Sequence, residues 1–273
     1  AAGPRRRVGA GRAGMSAAAR RVAVVDPGSG NLASVLRALE RASALAETPV
    51  EAAVTREASA VARADRVVLP GQGAFAACMR GLQALPGMRE ALEERVRGRG
   101  VPLLGICVGM QILAERGLEH GETPGLGWVR GEMAPMEPGP GPDGAPLPLP
   151  QMGWNTLDIA AGGHPLLKGV GPGSHAYFVH SYAARSWEME RIGPMSLPVV
   201  TWAEHGSRFV AAVENGALCA TQFHPEKSGD AGAALRELEA DRNVDVDPLF
   251  HGNPLPYGLS VGTVQTGDWA SSV

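Results

Sequence analysis

The sequence predicts a single α/β domain built on an open, mainly parallel sheet with helices on both faces. Short apolar runs alternate with segments of helical periodicity up to about residue 125. Several of these runs end in turns rich in glycine and proline, as strands do at the functional edge of a parallel sheet. At 273 residues and 44% hydrophobic composition, the chain can bury a large core without disulfides or a structural metal.

The first half of the chain follows a strand–helix order. Four apolar runs predict strands: Val22–Val25, Val50–Thr55, Arg66–Leu69 and Val101–Leu104. Helical spacing predicts helices over Leu32–Leu39, Cys78–Leu85 and Met88–Arg97. The turn Gly28-Ser29-Gly30 resembles a phosphate-binding turn but lacks a third glycine and a Walker lysine. A loop at the functional edge of the sheet is therefore favoured there over a nucleotide site.

The second half differs from the first in its predicted elements, because short strands and turns replace the strand–helix order from Gly125 onward. Predicted strands cover Gln151–Asn155, Ala176–Tyr182, Val199–Trp202, Phe209–Glu214 and Leu218–Phe223. Short connections make most of them antiparallel, and we expect them to extend the same sheet. Together with the first half this gives a flavodoxin-like sheet extended by antiparallel strands in one domain. A last helix is predicted over Ala231–Ala240, although it is poor in large apolar residues.

The domain is predicted to span residues 21–242, with a Pro/Gly-rich surface loop at 134–150. Residues 1–20 contain several arginines and no acidic residue, which indicates a disordered leader, with an organellar transit peptide as the alternative. Residues 243–273 form a tail to which no structure is assigned.

Charge and cysteine content limit the function classes. The net charge of −3 and the isoelectric point near 6.2 do not favour nucleic acid or an anionic membrane as the main partner. Three cysteines at irregular spacing fit a reducing compartment, and we expect a cytoplasmic protein. No apolar run approaches the roughly 20 residues that cross a bilayer.

Cys107 is the first candidate catalytic residue, as a nucleophile. It stands between Gly105 and Gly109, where a buried strand runs into a helix, and this is the layout of a nucleophile elbow. The positive end of that helix would face the sulfur and favour the thiolate. A buried core thiol is the alternative, because most unreactive cysteines pack as small hydrophobic residues.

A second candidate follows the last strand, where His224 and Glu226 flank Pro225. On an extended segment, residues two apart project to the same side, so Glu226 could hold the ring of His224 while the other ring nitrogen faces a thiol. A metal pair and an exposed loop pair are the alternatives, although no third ligand accompanies them at a useful spacing.

The elbow with Gln111, taken together with His224-Pro225-Glu226, resembles the triad-type (class I) glutamine amidotransferases over about residues 20–240. Four further segments resemble the glutaminase subunits of imidazole glycerol phosphate synthases, which act in histidine biosynthesis. These segments are Pro70–Phe75, Met152–Asn155, Tyr177–Tyr182 and Ala220–Ser228.

The resemblance implies a glutaminase that uses a Cys107–His224–Glu226 triad and passes through a γ-glutamyl thioester, with no cofactor and no metal. The oxyanion would be held by the backbone at Val108 and at Gly71, Gln72 and Gly73. The resemblance also implies a glutamine-binding set, which comprises Gln111, His180, Ser181 and Tyr182.

The implied partner is a (β/α)₈ barrel cyclase, which forms a heterodimer with the glutaminase and receives its ammonia through a tunnel. Its products are imidazole glycerol phosphate and an aminoimidazole carboxamide ribotide. Residues implied to face the cyclase are Asn31, Trp154, Tyr177 and Lys227. Three positions depart from the residues common in the family: Pro27, Gln72 and Gln151.

Two other functions compete with this hypothesis. One is the glutaminase subunit of a different amidotransferase, or a stand-alone cysteine hydrolase of γ-glutamyl compounds, and the four segments above argue against both. The other is a non-catalytic interaction module, which the presence of Cys107, His224 and Glu226 disfavours.

Overall fold

The structure is a computed structural model that describes residues 19–44, 49–141, 143–159, 165–167, 170, 173–187 and 199–228. The predicted helix over Ala231–Ala240, the tail 243–273 and residues 1–18 of the predicted leader lie outside the described residues. Arg20, which was assigned to the leader, instead begins the first strand, because it pairs with Val50 of the neighbouring strand.

Thirteen strands are present in the described residues. They are β1 (Arg20–Val25), β2 (Val50–Thr55), β3 (Arg66–Gly71), β4 (Leu103–Cys107), β5 (Ala114–Gly117), β6 (Thr123–Pro124), β7 (Val129–Pro135), β8 (Gln151–Thr156), β9 (His175–His180), β10 (Tyr182–Ala183), β11 (Val199–His205), β12 (Ser207–Asn215) and β13 (Leu218–Thr221).

Five α-helices accompany these strands in the same part of the chain. They are α1 (Leu32–Ser43), α2 (Ala58–Arg63), α3 (Phe75–Gln83), α4 (Met88–Leu92) and α5 (Val108–Gln111). A π-helical segment, Glu93–Gly98, continues α4, and 3₁₀ turns cover Pro165–Leu167 and Pro225–Lys227. None of the helices in the described ranges is long and apolar enough to cross a membrane.

The largest sheet has seven strands in the order β11-β12-β13-β4-β3-β1-β2. The five strands β2, β1, β3, β4 and β13 pair in parallel, and this is the strand order of a flavodoxin-like sheet. β12 and β11 continue it in antiparallel pairing. The predicted fold class, a mainly parallel sheet extended by antiparallel strands, is therefore confirmed.

The central strands form where the sequence has continuous apolar runs. β3 is buried from Val67 to its end, and all five residues of β4 are buried. Strands of a parallel sheet are covered on both faces, so an uninterrupted apolar run suits them better than alternation does. The result is one contiguous core that reaches from β1 to β13.

The second half does not all join this sheet, so the prediction of a single extended sheet is wrong for β8, β9 and β10. β8 pairs only with β9, in a separate two-stranded sheet. β10 pairs with β7 in a four-stranded sheet of order β10-β7-β5-β6. The predicted strand Ala176–Tyr182 breaks at Ser181, because the carbonyl of Ser181 accepts from Met136 and Tyr182 turns to pair with Pro135.

The same pairing shortens the predicted loop 134–150 at its start. Ala134 and Pro135 belong to β7, where they face Ala183 and Tyr182 of β10. Met136 is also buried, contrary to the prediction that this segment is a surface loop. Ala134 and Pro135 are therefore part of a strand because they pair with a segment far away in the sequence, although their local composition suggested a loop.

Candidate active site

Cys107 occupies a strained turn between β4 and α5. Its φ of 55° and ψ of −113° put a residue with a side chain in a backbone region that favours glycine. Such strain persists only where the surroundings enforce it, and it gathers at functional sites. The turn also places the side chain at the carboxyl end of the parallel sheet, and Cys107 is almost fully buried there.

Close packing explains the glycine after the cysteine. A methyl group added to Gly109 would overlap the carbonyl oxygen of Leu69 on β3. Gly71, at the end of β3, is also crowded, though less tightly, by the backbone of Gly109 and by the sulfur of Cys78. The elbow can therefore sit against β3 only because these two residues lack side chains.

The helix after the cysteine is short, since α5 is a single turn of four residues. Gly109, inside it, is a poor helix former, and the carbonyl groups of Ile112 and Ala114 accept bonds from Leu126 and Gly127. A one-turn helix aligns few peptide dipoles. Its influence on the sulfur comes mainly from the N–H groups nearest the turn.

His224 and Glu226 lie beside this turn because β13 pairs in parallel with β4. Nδ1 of His224 is 2.8 Å from Oε1 of Glu226, and the Glu226 side chain is only 1% exposed. Glu226 lies in the 3₁₀ turn rather than on an extended segment, so the predicted contact forms by a different local geometry. Because a carboxylate can only accept, Nδ1 carries the proton and Nε2 is free to face the sulfur.

The surroundings of His224 favour its charged form. Burial of the ring lowers the pKa, but interactions with the Cys107 sulfur and the Glu226 carboxylate outweigh it and raise the pKa to about 9. Nε2 is buried, and no atom of the described residues meets the geometry of a hydrogen bond with it, although the sulfur of Cys107 is close enough to raise the pKa of the ring. The raised pKa favours the imidazolium form of the ring beside the sulfur.

The turn that carries the histidine is fixed by hydrogen bonds. The Ser228 hydroxyl donates to the carbonyl of His224 at 2.6 Å and accepts from the N–H of Tyr177 at 3.0 Å. The N–H of His224 donates in turn to the carbonyl of Tyr177 at 3.0 Å. These bonds join the turn that carries His224 and Glu226 to β9. Within the described residues, no group of three or more His, Cys, Asp and Glu residues could hold a metal ion.

Gln222 is a site residue that the sequence analysis missed. It is fully buried directly after β13, and its Nε2 donates to the sulfur of Cys107 at 3.7 Å. Its Oε1 accepts from Nε2 of Gln111 at 3.0 Å. The signal available in the sequence was a glutamine two positions before His224, at the end of an otherwise apolar strand.

Gln111 faces the same cluster from α5. Its Nε2 donates both to Gln222 and, at 2.9 Å, to the carbonyl of Tyr182. Both N–H groups of this amide are engaged within the protein. The side-chain oxygen is therefore the atom through which Gln111 could hold the ammonium group of an amino acid.

His180 packs as a neutral histidine. Its ring lies 4.9 Å from that of Phe209 and 5.7 Å from that of Phe178, measured between centroids. Burial lowers the pKa of His180 to about 4. Nδ1 donates to the carbonyl of Tyr182 at 3.0 Å, so this side chain supports the Ser181–Tyr182 segment rather than reaching toward Cys107.

The glycine segment predicted to hold an oxyanion lies next to Cys107. Gly71 on β3 is the register partner of Cys107 on β4. Gln72 and Gly73 follow as exposed residues, and Gly73 has a φ of 79°. Val108 is the first residue of α5 and therefore presents one of the unpaired N–H groups of a helix start.

Of the residues predicted to face a partner, Trp154 lies on β8 and Tyr177 on β9, whereas Lys227 ends the 3₁₀ turn after His224 and Asn31 precedes α1. Trp154 is 58% exposed and meets Tyr177 edge to face at 5.9 Å between centroids. Nζ of Lys227 lies 5.7 Å from the centroid of the Tyr177 ring. Asn31 has a further role, since its side chain accepts from the N–H of Ser34 and caps α1.

Known proteins resemble this one in sequence over most of the chain. The sequence profile described as glutamine amidotransferase class-I matches residues 23–234. The imidazole glycerol phosphate synthase subunit HisH of Streptomyces avermitilis is 49% identical over 223 residues, which are 80% of this chain and 94% of that subunit. The HisH subunit of Corynebacterium diphtheriae is 50% identical over 218 residues, covering 79% of this chain and 96% of that subunit.

A solved structure agrees with the fold. A crystal structure of a glutamine amidotransferase superposes with a TM-score of 0.55 at 20% identity, covering 80% of this chain and 98% of that one. At that identity the likeness supports the fold alone, whereas the profile and the sequence relatives identify the family. The chain belongs to the class-I glutamine amidotransferases, within the family of imidazole glycerol phosphate synthase subunits HisH.

Proposed function

We propose that this protein hydrolyses glutamine to glutamate and ammonia, and that it delivers the ammonia to a (β/α)₈ barrel cyclase. The cyclase would use it to form imidazole glycerol phosphate and aminoimidazole carboxamide ribotide in histidine biosynthesis, in the cytoplasm. The observation that carries the proposal is the buried His224–Glu226 pair beside the Cys107 turn. HisH relatives that match the chain over nearly their whole length support the choice of pathway.

In the proposed reaction, the Cys107 thiolate attacks the carboxamide carbon of glutamine. The His224 imidazolium gives its Nε2 proton to the departing nitrogen, so that ammonia leaves and a γ-glutamyl thioester remains. The neutral imidazole then takes a proton from water, the hydroxide attacks the thioester, and glutamate is released with the thiolate restored. Glu226 holds the Nδ1–H throughout and stabilises the imidazolium.

The tetrahedral oxyanion in both steps needs donors beside Cys107. We assign them to the N–H of Val108 and to one N–H of the Gly71-Gln72-Gly73 segment. The register pairing of Gly71 with Cys107 supports this assignment. Gln111 and the His180-Ser181-Tyr182 segment would hold the amino-acid end of glutamine, with the Gln111 oxygen accepting from the α-ammonium group.

The raised pKa of His224 predicts an alkaline limb in the activity profile. The folded-state pKa of about 9 lies above the ordinary 6.5, so the ring keeps its proton at neutral pH and loses it as the pH rises through about 9. We expect kcat/KM for glutamine hydrolysis to fall with a midpoint near pH 9 when the complex is assayed from pH 6 to 10. In Glu226→Gln the limb should move to lower pH, and an unchanged limb in this variant would contradict the assignment.

The exposed apolar side chains of β8 support a docking surface for the cyclase. Met152 and Trp154 are 66% and 58% exposed, although both are large apolar side chains on one strand. Solvent-exposed aromatic residues of this kind often anchor an interface. The hydrogen bonds between Tyr177, Ser228 and His224 would connect this surface to the triad turn, so that docking could alter the site.

Removal of the Trp154 ring should weaken the complex. For Trp154→Ala we expect the Kd for the cyclase, measured by isothermal titration calorimetry, to rise by about 30-fold or more. Val54→Ala, which removes apolar surface from the exposed edge strand β2, serves as the matched control and should leave the Kd unchanged. If the Kd of Trp154→Ala stayed within twofold of the wild-type value, this surface would not be part of the interface with the cyclase.

The proposal as a whole is tested by measuring ammonia release from glutamine with and without the cyclase and its nucleotide substrate. We expect hydrolysis to rise when both are present and glutamine to support formation of the two products. A chain that binds no cyclase but hydrolyses glutamine rapidly alone would instead be a stand-alone hydrolase. Cyclase binding without any hydrolysis would indicate a non-catalytic module.

A further inference from the structure

A continuous series of hydrogen bonds runs inside the protein, from the backbone of β10 to the sulfur of Cys107. It links four polar groups. The carbonyl of Tyr182 accepts from the Gln111 amide, the Gln111 amide donates to the Gln222 oxygen, and the Gln222 nitrogen donates to the Cys107 sulfur. The distances along it are 2.9, 3.0 and 3.7 Å. The longest joins nitrogen to sulfur, an atom larger than oxygen, and Gln222 is fully buried.

The first acceptor, the carbonyl of Tyr182, determines the direction of every hydrogen bond in this series. A backbone carbonyl can only accept, so the Gln111 amide must turn its NH₂ group toward Tyr182. The same NH₂ group then meets Gln222, which must present its oxygen to it. The Gln222 nitrogen is thereby left to point at Cys107, and its N–H faces the sulfur as a donor.

Tyr182 is itself held in place, because its carbonyl also accepts from Nδ1 of His180 at 3.0 Å. The backbone of Gln222 is fixed independently, since its N–H donates to the carbonyl of Ala211 on β12 at 2.8 Å. The amide donor is therefore oriented before any substrate binds. A fixed donor in a buried site stabilises a negative charge more strongly than a mobile one.

We infer that Gln222 is a further catalytic residue, whose amide N–H holds the Cys107 sulfur as a thiolate and directs it, with Gln111 fixing the amide. The inference deepens the proposed function, because it assumes that Cys107 is the nucleophile. His224 supplies the positive charge beside the sulfur, and Gln222 supplies a neutral donor from a second direction. Hydrogen bonds to the charged form of a group favour that form.

The test measures how readily Cys107 reacts with iodoacetamide as a function of pH, in the full chain, with the labelled cysteine identified by mass spectrometry. Only the thiolate reacts at an appreciable rate, so the midpoint of the curve reports its formation. In Gln222→Met, which keeps the size of the side chain but removes the donor, we expect the midpoint to rise by about one pH unit. Cys107→Ser should abolish the label.

Thr221→Val is the matched control. Thr221 is also fully buried, and its hydroxyl donates to the carbonyl of Phe223 at 3.0 Å, but it does not bond to the sulfur. Its replacement should lower the melting temperature and leave the alkylation midpoint where it is in wild type. A purely structural role for Gln222 would make the two variants behave alike in alkylation.

An unchanged midpoint in folded Gln222→Met would overturn the inference. If that variant does not fold, Gln111→Met decides the question, because it frees the Gln222 amide to rotate away from the sulfur. An upward shift there supports the inference and an unchanged midpoint overturns it. Alkylation needs no glutamine, so a wild-type complex that fails to hydrolyse glutamine would refute the proposed function and still leave this test decisive.

Discussion

Replacement of Cys107 by serine should abolish glutamine-dependent synthesis by the complex while ammonia-dependent synthesis continues. Serine keeps the shape of the side chain, but its hydroxyl is a far weaker nucleophile than a thiolate at neutral pH. We expect glutamine hydrolysis to fall by about 10⁴-fold or more, as occurs when other enzymes lose their nucleophile. The measurement compares product formation by the assembled complex with glutamine and with ammonium chloride as nitrogen source.

Ammonium serves as the internal control in that experiment. Persistent ammonia-dependent synthesis shows that the cyclase in the complex is intact, so that a loss of glutamine-dependent synthesis comes from the glutaminase. Cys219→Ser provides a matched thiol control, because Cys219 is also a buried cysteine but lies on β13 away from the elbow turn. Glutamine hydrolysis retained in Cys107→Ser would refute the role of this residue and with it the proposed mechanism.

Gly109→Ala should damage both stability and activity. The added methyl group would overlap the carbonyl oxygen of Leu69, and that oxygen belongs to the backbone of a central strand, which cannot move aside. Overpacking of this kind lowers the free energy of unfolding by about 3 kcal/mol. Any molecules that fold must displace α5 from β3, and the Cys107 turn with it. Chemical denaturation and the glutaminase assay measure the two effects.

Gly98→Ala is the matched control for this substitution. The nearest atom to a methyl group there is the end of the flexible Glu94 side chain, which can turn away. Alanine is also the better residue in a helical segment, so this variant should unfold at the same denaturant concentration as wild type or slightly above it. If Gly109→Ala matched Gly98→Ala in stability, close packing would not explain the glycine after the nucleophile.

Much of the central sheet could be predicted from the sequence, because its strands are uninterrupted apolar runs bounded by turn residues. β2 has the predicted bounds, Val50–Thr55, and β1 and β3 differ from their predictions by two residues at one end. The helical stretch Met88–Arg97 was less regular than predicted. It passes from α4 into a π-helical segment, although Met88, Leu92 and Val96 still bury one face.

The second half was harder because its strands are short and carry no signal for their partners. Met152 and Trp154 on β8 could equally have belonged to a central strand by residue type. Their exposure follows from the pairing of β8 with β9 alone, outside the main sheet. Which strands pair is decided by contacts between segments far apart in sequence, and local composition does not encode them.

The sequence by itself identified the candidate catalytic residues, because a cysteine between glycines and a histidine two residues from a glutamate are local patterns. It could not show what surrounds them. Gln222 reaches Cys107 across 115 positions only because β13 pairs in parallel with β4. That pairing, the raised pKa of His224 and the orientation of the Gln222 amide arise from packing, so only the tertiary structure decided them.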